Sequence, residues 1–306
     1  MPARAAADLV AALCRRADFT GIVAPVVVGC SGGADSVALL ALANEAGLEP
    51  VAVHVDHRLR EGSAADTVAV QDVADRLGVT PRFVAVDVAA GSNLEARARA
   101  ARYRALESAR EAADATWVLV GHTADDQAET VLLNVLRGAA ASGLAGIPAR
   151  RDRVARPLLA LRRHETHELC SALGLTVLDD PMNDDLAFTR VALRRRVLPL
   201  LEEIAGRDLV PVLARQAEVL RAESDYLDDL ARARWPGDGD LSARALAALH
   251  PVLAQRAIRV WLGPPPPSRA EVARVLEVAR GACRAAQLAG GRAVRRSGGL
   301  LFVERD

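Results

Sequence analysis

A short segment rich in glycine and serine has the residue types of a phosphate-binding loop. It consists of Ser31, Gly32, Gly33, Ala34, Asp35 and Ser36. Two glycines let the backbone approach a ligand closely, serine hydroxyls donate hydrogen bonds, and a helix that begins here presents free N–H groups to an anion. We predict that all six residues bind nucleotide phosphates. A capped turn without a ligand is the alternative, which the position after an apolar strand pattern disfavours.

The carboxylate of Asp35 is unusual beside phosphate, because the two groups repel each other. The repulsion is removed if Asp35 caps the helix or binds Mg²⁺ that bridges phosphate oxygens. We predict Asp35 to be a catalytic residue and a metal ligand. The chain contains no lysine, and all 39 basic residues are arginine. A Walker A loop and a Schiff-base mechanism, which both need a lysine, are therefore excluded.

Three acidic residues, Asp125, Asp126 and Glu129, begin a predicted helix. Asp125 and Glu129 are four residues apart and therefore share one helical face. Two like carboxylates favour a cation, either Mg²⁺ or a substrate ammonium, and the alternative is an interaction with the helix dipole alone. We predict Asp125 and Glu129 as catalytic residues and Asp126 as a metal ligand.

Two histidines and an aspartate are further candidates for the nucleotide site. His54 and Asp56 share one face at the end of a predicted strand, where they could flank adenine or ribose. His122 directly precedes the acidic helix. We predict that all three bind the nucleotide, although a lone histidine at a strand end is more often structural.

Arg97 and Arg102 lie on another predicted helix. They could neutralise phosphate charge that develops during the reaction, or they could pair with Glu95 and Glu107 on a solvated helix. We favour a catalytic role for Arg97.

These residues fall on alternating strand and helix patterns between residues 20 and 140, which predict βαβ units and an α/β fold with a doubly wound parallel sheet. The predicted strands are Ile22–Gly29, Pro50–Val55, Pro81–Val86 and Thr116–Gly121. The predicted helices are Ala34–Ala46, Ser63–Leu77, Asn93–Ala113 and Ala124–Leu136. The candidate residues then lie at or near the carboxyl edge of the sheet.

The rest of the chain is predicted to be mainly helical. Helical patterns cover Val191–Ala205, Pro211–Arg234 and Ser242–Leu262, and one more helix and a β-like tail at Gln287–Val303 follow the proline run Pro264–Pro267. We predict two domains, an α/β domain over residues 1–205 and a smaller, mainly helical domain over residues 206–306.

Charge is unevenly distributed, although the net charge of the chain is zero. Residues 244–306 contain 11 arginines and four acidic residues, which gives a net charge of +7. Such a segment could bind a polyanion through arginine forks and counterion release. A solvated helix face explains the same composition equally well.

The loop at residues 31–36 resembles the pyrophosphate-binding loop of the N-type ATP pyrophosphatases, which split ATP to AMP and pyrophosphate. From about Val26 to Pro199, the chain also resembles the tRNA(Ile)-lysidine synthetase family. The matching segments are His54–Arg60, Glu95–Arg97 with Arg102–Tyr103, Gly121–Thr130, Leu136–Ile147, Arg156–Leu159 and Asp180–Asp185 with Leu198–Pro199. The match departs from the family pattern at Ala140, at Met182 and at Val191–Leu193, while Arg190 and Arg194 are kept and Arg194 is the predicted catalytic arginine.

The resemblance implies a ligase that adenylates a cytidine of tRNA(Ile) with a CAU anticodon and then replaces AMP with free L-lysine. ATP and Mg²⁺ would bind at the phosphate loop, and L-lysine would bind at the cluster from Asp125 to Glu129. The C-terminal domain would bind tRNA. A tRNA thiolation enzyme is the alternative, although Cys14, Cys30, Cys170 and Cys283 form no C-x-x-C pair. A nucleotide-binding sensor without chemistry would need the loop alone.

The sequence contains no apolar run of the roughly 20 residues that a bilayer span requires. We therefore expect a cytoplasmic protein with no membrane partner. Its oligomeric state is left open, with a homodimer among the alternatives.

Overall fold

The computed structural model describes residues 3–56, 63–87, 94–178, 186, 188–234, 239, 241–265 and 267–305. The chain divides into two compact units, Met1–Glu218 and Val219–Asp306. The predicted boundary after residue 205 falls inside the first unit, and the division at that position stays a prediction.

The first unit contains one sheet and nine complete helices within the described residues. Its strands are β1 (Val26–Gly29), β2 (Pro50–Asp56), β3 (Thr80–Ala85), β4 (Trp117–Leu119), β5 (Arg150–Arg151) and β6 (Val154–Ala155). Its helices are α1 (Ala3–Arg16), α2 (Ala34–Glu45), α3 (Ser63–Leu77), α4 (Leu94–Ala112), α5 (Ala124–Leu136), α6 (Ala141–Leu144), α7 (Arg163–Ala172), α8 (Thr189–Ala192) and α9 (Leu198–Ala205). Helix α10 (Val210–Arg234) begins in the first unit and continues into the second. A 3-10 turn at Pro157–Ala160 precedes α7, and a π-helical turn at Leu193–Val197 joins α8 to α9.

The sheet has the order β3-β2-β1-β4-β6-β5, and every neighbouring pair is parallel except the pair of β5 with β6. The chain leaves β1 toward β2 and β3 and then returns to β4 on the other side of β1. Val26 is accordingly in register with both Pro50 and Trp117. The segments that follow β1 and β4 are therefore neighbours at the carboxyl edge, in the position where open α/β sheets bind ligands. The predicted doubly wound sheet is confirmed.

Helices cover both faces of the sheet. Val26 and Val28 of β1 pack into the same core as Leu40 of α2, whereas Val27 packs into the core on the opposite face with Leu106 of α4. All three valines are fully buried. Each side chain of this kind stabilises the fold by about 1.5–3 kcal/mol relative to an exposed one. β1 is therefore a rigid base for the loop that follows it.

Several predicted elements differ from the observed ones. The first strand begins at Val26 and not at Ile22, which packs into the core ahead of it. The predicted helix Ser242–Leu262 is wrong, because it is divided before Pro251, a residue that has no N–H to continue a helix. Helices α3 and α5 have their predicted bounds. Helices α1 and α7 and the β5–β6 hairpin were not predicted.

The second unit combines helices with a small antiparallel sheet. Its elements are β7 (Leu241–Ser242), α11 (Ala243–Ala248), α12 (Pro251–Leu262), α13 (Arg269–Arg280), β8 (Ala285–Leu288), β9 (Arg292–Ser297) and β10 (Leu300–Arg305). The strand order is β7-β10-β9-β8, with Ile258, Val275 and Leu301 in the core. Across the described residues of both units, no helix is long and apolar enough to cross a membrane.

Candidate active site at the carboxyl edge of the sheet

The loop after β1 has a backbone shape that requires glycine. Gly32 has a φ of +86°, and a Cβ atom added to it would lie 2.4 Å from a side-chain carbon of Leu178. The hydroxyl of Ser36 donates to the carbonyl of Gly33 at 2.8 Å and accepts from the backbone N–H of Ser31 at 3.1 Å. Gly33 caps α2 without a side chain, and the N–H of Ser36 already donates to the Gly33 carbonyl at 3.0 Å. The N–H groups of Ala34 and Asp35, which have no capping side chain among the described residues, are the ones that an anion can use.

Gly121 brings the segment after β4 against this loop. A Cβ atom at position 121 would lie 2.6 Å from the backbone oxygen of Asp35, so only glycine permits this approach. Ala34 is buried, and the side chain of Asp35 is 23% exposed at the start of α2. Thr166 of α7 donates its hydroxyl to Asp35 Oδ1 at 2.5 Å. Burial raises the pKa of Asp35, although Thr166 and Arg163 oppose that shift.

The two histidines lie in different environments. His54 is 5% exposed, and its Nδ1 lies 3.0 Å from the carbonyl oxygen of Cys30, so the ring supports the start of the phosphate loop. Burial lowers the pKa of His122 to about 4, with Arg156 acting in the same direction and Asp126 opposing it. His122 is therefore neutral near pH 7. Its Nδ1 is buried and has no hydrogen-bond partner among the described residues.

Asp126, in the first turn of α5, completes a capping box with Thr123 and also contacts Arg163. Its Oδ2 accepts from the backbone N–H of Thr123 at 2.8 Å and from the Thr123 hydroxyl at 3.0 Å. Its Oδ1 accepts from Arg163 Nη2 at 3.0 Å. Burial would raise the pKa of Asp126, but Arg163, His122 and Thr123 outweigh burial and hold that pKa below its ordinary value. Asp126 is therefore an ionised helix cap.

One guanidinium group joins the acidic residues of two helices. Arg163, the first residue of α7, contacts Asp126 at 3.0 Å, Glu129 Oε1 at 3.1 Å and Asp35 Oδ2 at 3.5 Å. Burial would lower the pKa of Arg163, but the three carboxylates hold it above its ordinary value. Arg163 is a permanent cation between the phosphate loop and the start of α5.

Glu129 is the most deeply buried acid of this cluster, at 1% exposed. Its Oε1 accepts from Arg163 and, at 2.7 Å, from Nε of Arg194. Its Oε2 is buried and has no hydrogen-bond partner within the described part of the chain. Arg194 lies in the π-helical turn, and Arg190 reaches Thr130 at 3.5 Å. Both arginines that match the family pattern thus contact α5.

Asp125 contacts different cations from Glu129, although both were predicted to face one cation. Asp125 Oδ2 accepts from Nε of Arg162 at 3.2 Å and from the backbone N–H of Arg163 at 2.8 Å. Arg162 also binds Asp208. Asp125 therefore fixes the start of α7, and its predicted catalytic role stays a prediction.

The remaining predicted site residues lie on β2 and α4. Asp56 ends β2, and Arg97 lies partly buried in α4. Burial lowers the pKa of Arg102, with Arg99 acting in the same direction. Residues 57–60, the side chain of Glu95 and residues 179–185, all quoted for the family pattern, lie outside the described residues.

Arg162, Arg163 and Thr166 were missed as site residues. Their segment is visibly arginine-rich, but Arg163 is 128 residues from Asp35 in the chain, and Thr166 is 131 residues from it. Only the docking of α7 brings these side chains to the loop.

The donor set at the loop suits Mg²⁺ that arrives with a nucleotide. Proteins usually bind Mg²⁺ with one or two carboxylates together with substrate phosphates. Asp35 provides such a carboxylate, and its contact with Arg163 is the longest in the cluster. Among the described residues, no group of three or more His, Cys, Asp or Glu side chains is arranged to hold a metal ion by itself.

Known proteins share this fold and these motifs. Residues 20–201 match a family model described as the PP-loop domain, and residues 241–302 match one described as the TilS substrate binding domain. The chain is therefore a PP-loop enzyme.

Sequence relatives identify the family within the PP-loop enzymes to which the chain belongs. A tRNA(Ile)-lysidine synthase from Rhodococcus erythropolis is 46% identical over 241 residues, which cover 78% of this chain and 73% of the relative. One from Mycobacterium tuberculosis is 46% identical over 246 residues, 77% of this chain and 74% of the relative. The chain belongs to the tRNA(Ile)-lysidine synthase family, whose members are PP-loop ATP-dependent ligases.

A solved structure supports the fold independently. The U34-tRNA thiolase NcsA from Methanococcus maripaludis, with its [4Fe-4S] cluster, aligns with a TM-score of 0.58 at 19% identity. The alignment covers 72% of this chain and 79% of the thiolase.

Proposed function

We propose that this chain converts a cytidine of tRNA(Ile) with a CAU anticodon to lysidine, using ATP and free L-lysine. The observation that carries the proposal is that the loop at Asp35 and the buried carboxylate of Glu129 contact the same arginine, Arg163. Oε2 of Glu129 has no hydrogen-bond partner among the described residues. The tRNA substrate and the lysidine product are inferred from the family to which the chain belongs.

The proposed reaction has two steps. Cytidine O2 attacks the α-phosphorus of ATP, a bond from O2 to phosphorus forms, and pyrophosphate leaves. The ε-amine of lysine then attacks C2, the bond from C2 to O2 breaks, and AMP leaves with that oxygen. The amine loses a proton, which a nearby carboxylate can accept. Most of the catalysis is positioning and charge stabilisation.

In the nucleotide half of the site, Ser31, Gly32, Gly33 and Ser36 would bind the β- and γ-phosphates through backbone N–H groups and hydroxyls. Asp35 would hold Mg²⁺ with the phosphate oxygens, and Asp126 would add a carboxylate to that ion. Mg²⁺ supplies neutralisation of charge on the leaving pyrophosphate. Arg97 would approach the α-phosphate from α4.

In the amine half, Glu129 would bind an ammonium group of lysine. Its Oε2 is buried without a hydrogen bond in the described region, and such an atom has a large desolvation cost unless a ligand pairs with it. Lysine carries two ammonium groups, which suits a carboxylate in this environment. Arg194 fixes the other oxygen of Glu129 and thus directs Oε2.

In the second unit, several exposed arginines are candidates for phosphate contacts. The side chains of Arg244, Arg269, Arg280 and Arg284 are exposed and make no hydrogen bond or ion pair with the described residues. Each phosphate contact releases counterions and makes tRNA affinity depend on salt.

Thiolation is the rival activity on this fold, and the cysteines do not favour it. Burial raises the pKa of the Cys30 thiol, and it raises the pKa of Cys170 to about 12. A thiolate is the nucleophilic form, so neither residue is activated for sulfur transfer.

The test supplies the enzyme with ATP, Mg²⁺, radiolabelled L-lysine and tRNA, followed by mass analysis of the nucleosides. We expect lysidine, with AMP and pyrophosphate in equal amounts. The Asp152→Asn variant removes a carboxylate that is 89% exposed on the hairpin, and as a control it should form lysidine at the rate of the natural protein. A thiolated nucleoside, or ATP cleavage without incorporated lysine, would contradict the proposal.

A further inference from the structure

Arg163 occupies the space between the two halves of the site. Its guanidinium is shared by Asp35 and Asp126, the proposed Mg²⁺ ligands, and by Glu129 of the amine half. The side chain is 21% exposed, so a ligand that enters the site can contact it. A single cation thus neutralises carboxylates from both α2 and α5.

The backbone of Arg163 is fixed although its side chain is long. The N–H of Arg163 donates to Asp125 Oδ2 at 2.8 Å, and Thr166, one turn later, donates to Asp35 Oδ1 at 2.5 Å. These contacts hold the first turn of α7 against α5 and α2. The guanidinium can therefore redistribute among its carboxylates without movement of the helix.

The contacts differ in strength across the site. The distance from Arg163 to Asp35 is 3.5 Å, whereas the distances to Asp126 and Glu129 are 3.0 and 3.1 Å. In this state the arginine neutralises mainly the two α5 carboxylates that it contacts, Glu129 among them. An arriving ammonium group must compete with it for Glu129.

We propose that Arg163 is a positioning residue that makes lysine binding depend on bound nucleotide. The proposal rests on the proposed function. Phosphates arriving at the loop attract the guanidinium toward themselves and away from Glu129. The carboxylate of Glu129 then becomes available to the ammonium of lysine, so the anionic and the cationic substrate favour each other's binding.

The coupling protects the site from unproductive occupancy. Free lysine meets a cluster already neutralised by Arg163 and binds weakly. After nucleotide binding, the carboxylate of Glu129 attracts it. By linkage, lysine must tighten nucleotide binding by the same factor.

The experiment measures the dissociation constant of L-lysine by calorimetry, with and without Mg²⁺ and a non-hydrolysable ATP analogue. For the natural protein, we expect nucleotide to tighten lysine binding about tenfold or more. In Arg163→Gln, lysine should bind more tightly without nucleotide, and the nucleotide effect should fall toward none. Arg150→Gln, which removes a surface pair with Asp18, is the matched control and should behave like the natural protein.

The outcomes separate coupling from a structural role. If Arg163→Gln weakens lysine binding in both states, or if nucleotide has no effect in the natural protein, the proposal is overturned. If Arg163→Gln does not fold, Arg163→Lys decides, because its retained cation should keep lysine binding weak without nucleotide. Tight lysine binding by Arg163→Lys without nucleotide would also overturn it. A natural protein that binds no lysine in any state would instead contradict the proposed function.

Discussion

The arginines of the candidate site and several arginines of the second unit use their hydrogen bonds differently. In the site, Arg162, Arg163 and Arg194 face carboxylates, which cancel their charge. In the second unit, Arg292 is 7% exposed and donates to the backbone carbonyls of Leu262, Pro265 and Ala289. A carbonyl satisfies the donor without cancelling its charge.

The comparison explains how one residue type serves two purposes in a chain that lacks lysine. In the candidate site, the arginines and their carboxylate partners form a local network whose contacts can change when a charged ligand binds. Carbonyl partners let the second unit use arginine for its structure and still keep the +7 charge of residues 244–306. That remaining field is what a polyanion would meet.

The largest effect is expected for Asp35→Asn. Loss of the carboxylate removes the proposed Mg²⁺ ligand, and the rate of pyrophosphate release should fall about 10²–10³-fold. Burial raises the pKa of Asp35 in the folded state, so the stability associated with its protonated form is present below the ordinary carboxyl pKa and is lost as pH rises through the raised pKa. The asparagine variant should therefore keep or exceed the natural Tm at pH 7. Unchanged turnover at saturating Mg²⁺ would refute the assignment.

A smaller effect is expected from the two carboxylates of α5, and it should differ between them. Glu129→Gln should raise the KM for lysine about ten- to hundredfold, because a charged hydrogen bond contributes about 1.5–3 kcal/mol. Asp125→Asn should raise it less, since Asp125 is occupied by Arg162 and the N–H of Arg163. Steady-state kinetics with varied lysine measure both values. Equal effects would mean that Asp125 also contacts the substrate.

The smallest effects on activity are expected from the second unit, where two variants separate the two kinds of arginine. Arg292→Met should lower the free energy of unfolding by about 2–4 kcal/mol, because three carbonyls lose their donor. Arg284→Met should leave the unfolding curve unchanged but weaken tRNA binding severalfold and reduce the salt slope by about 1. Denaturant unfolding and filter binding at several salt concentrations measure the pair. If both variants lose only stability, exposed arginines of this unit do not contact tRNA.

The sequence predicted elements well where local signals decide their limits. The bounds of α5 match because Thr123 is a good cap and Gly138, with a φ of +67°, follows its end. The phosphate loop was found because glycine, serine and a helix start are adjacent in the chain. The division at Pro251 is also a local signal, and it was overlooked.

The sequence could not predict contacts that depend on tertiary packing. The spacing of Asp125 and Glu129 indicated one cation between them, whereas rotation of the two side chains gives each its own arginine partners. Arg163 was invisible as a site residue because no periodicity links it to Asp35. His54 could be placed at a strand end, but its bond to the Cys30 carbonyl required the fold.

The central claim is that the site has separate nucleotide and amine halves, built around Asp35 and Glu129. The most direct test is tRNA-dependent pyrophosphate release without lysine, compared with lysidine formation, in Glu129→Gln. The account predicts that pyrophosphate release stays close to that of the natural protein, while lysidine formation is slow and recovers at high lysine. Loss of pyrophosphate release in Glu129→Gln would contradict it, because Glu129 would then serve the nucleotide step.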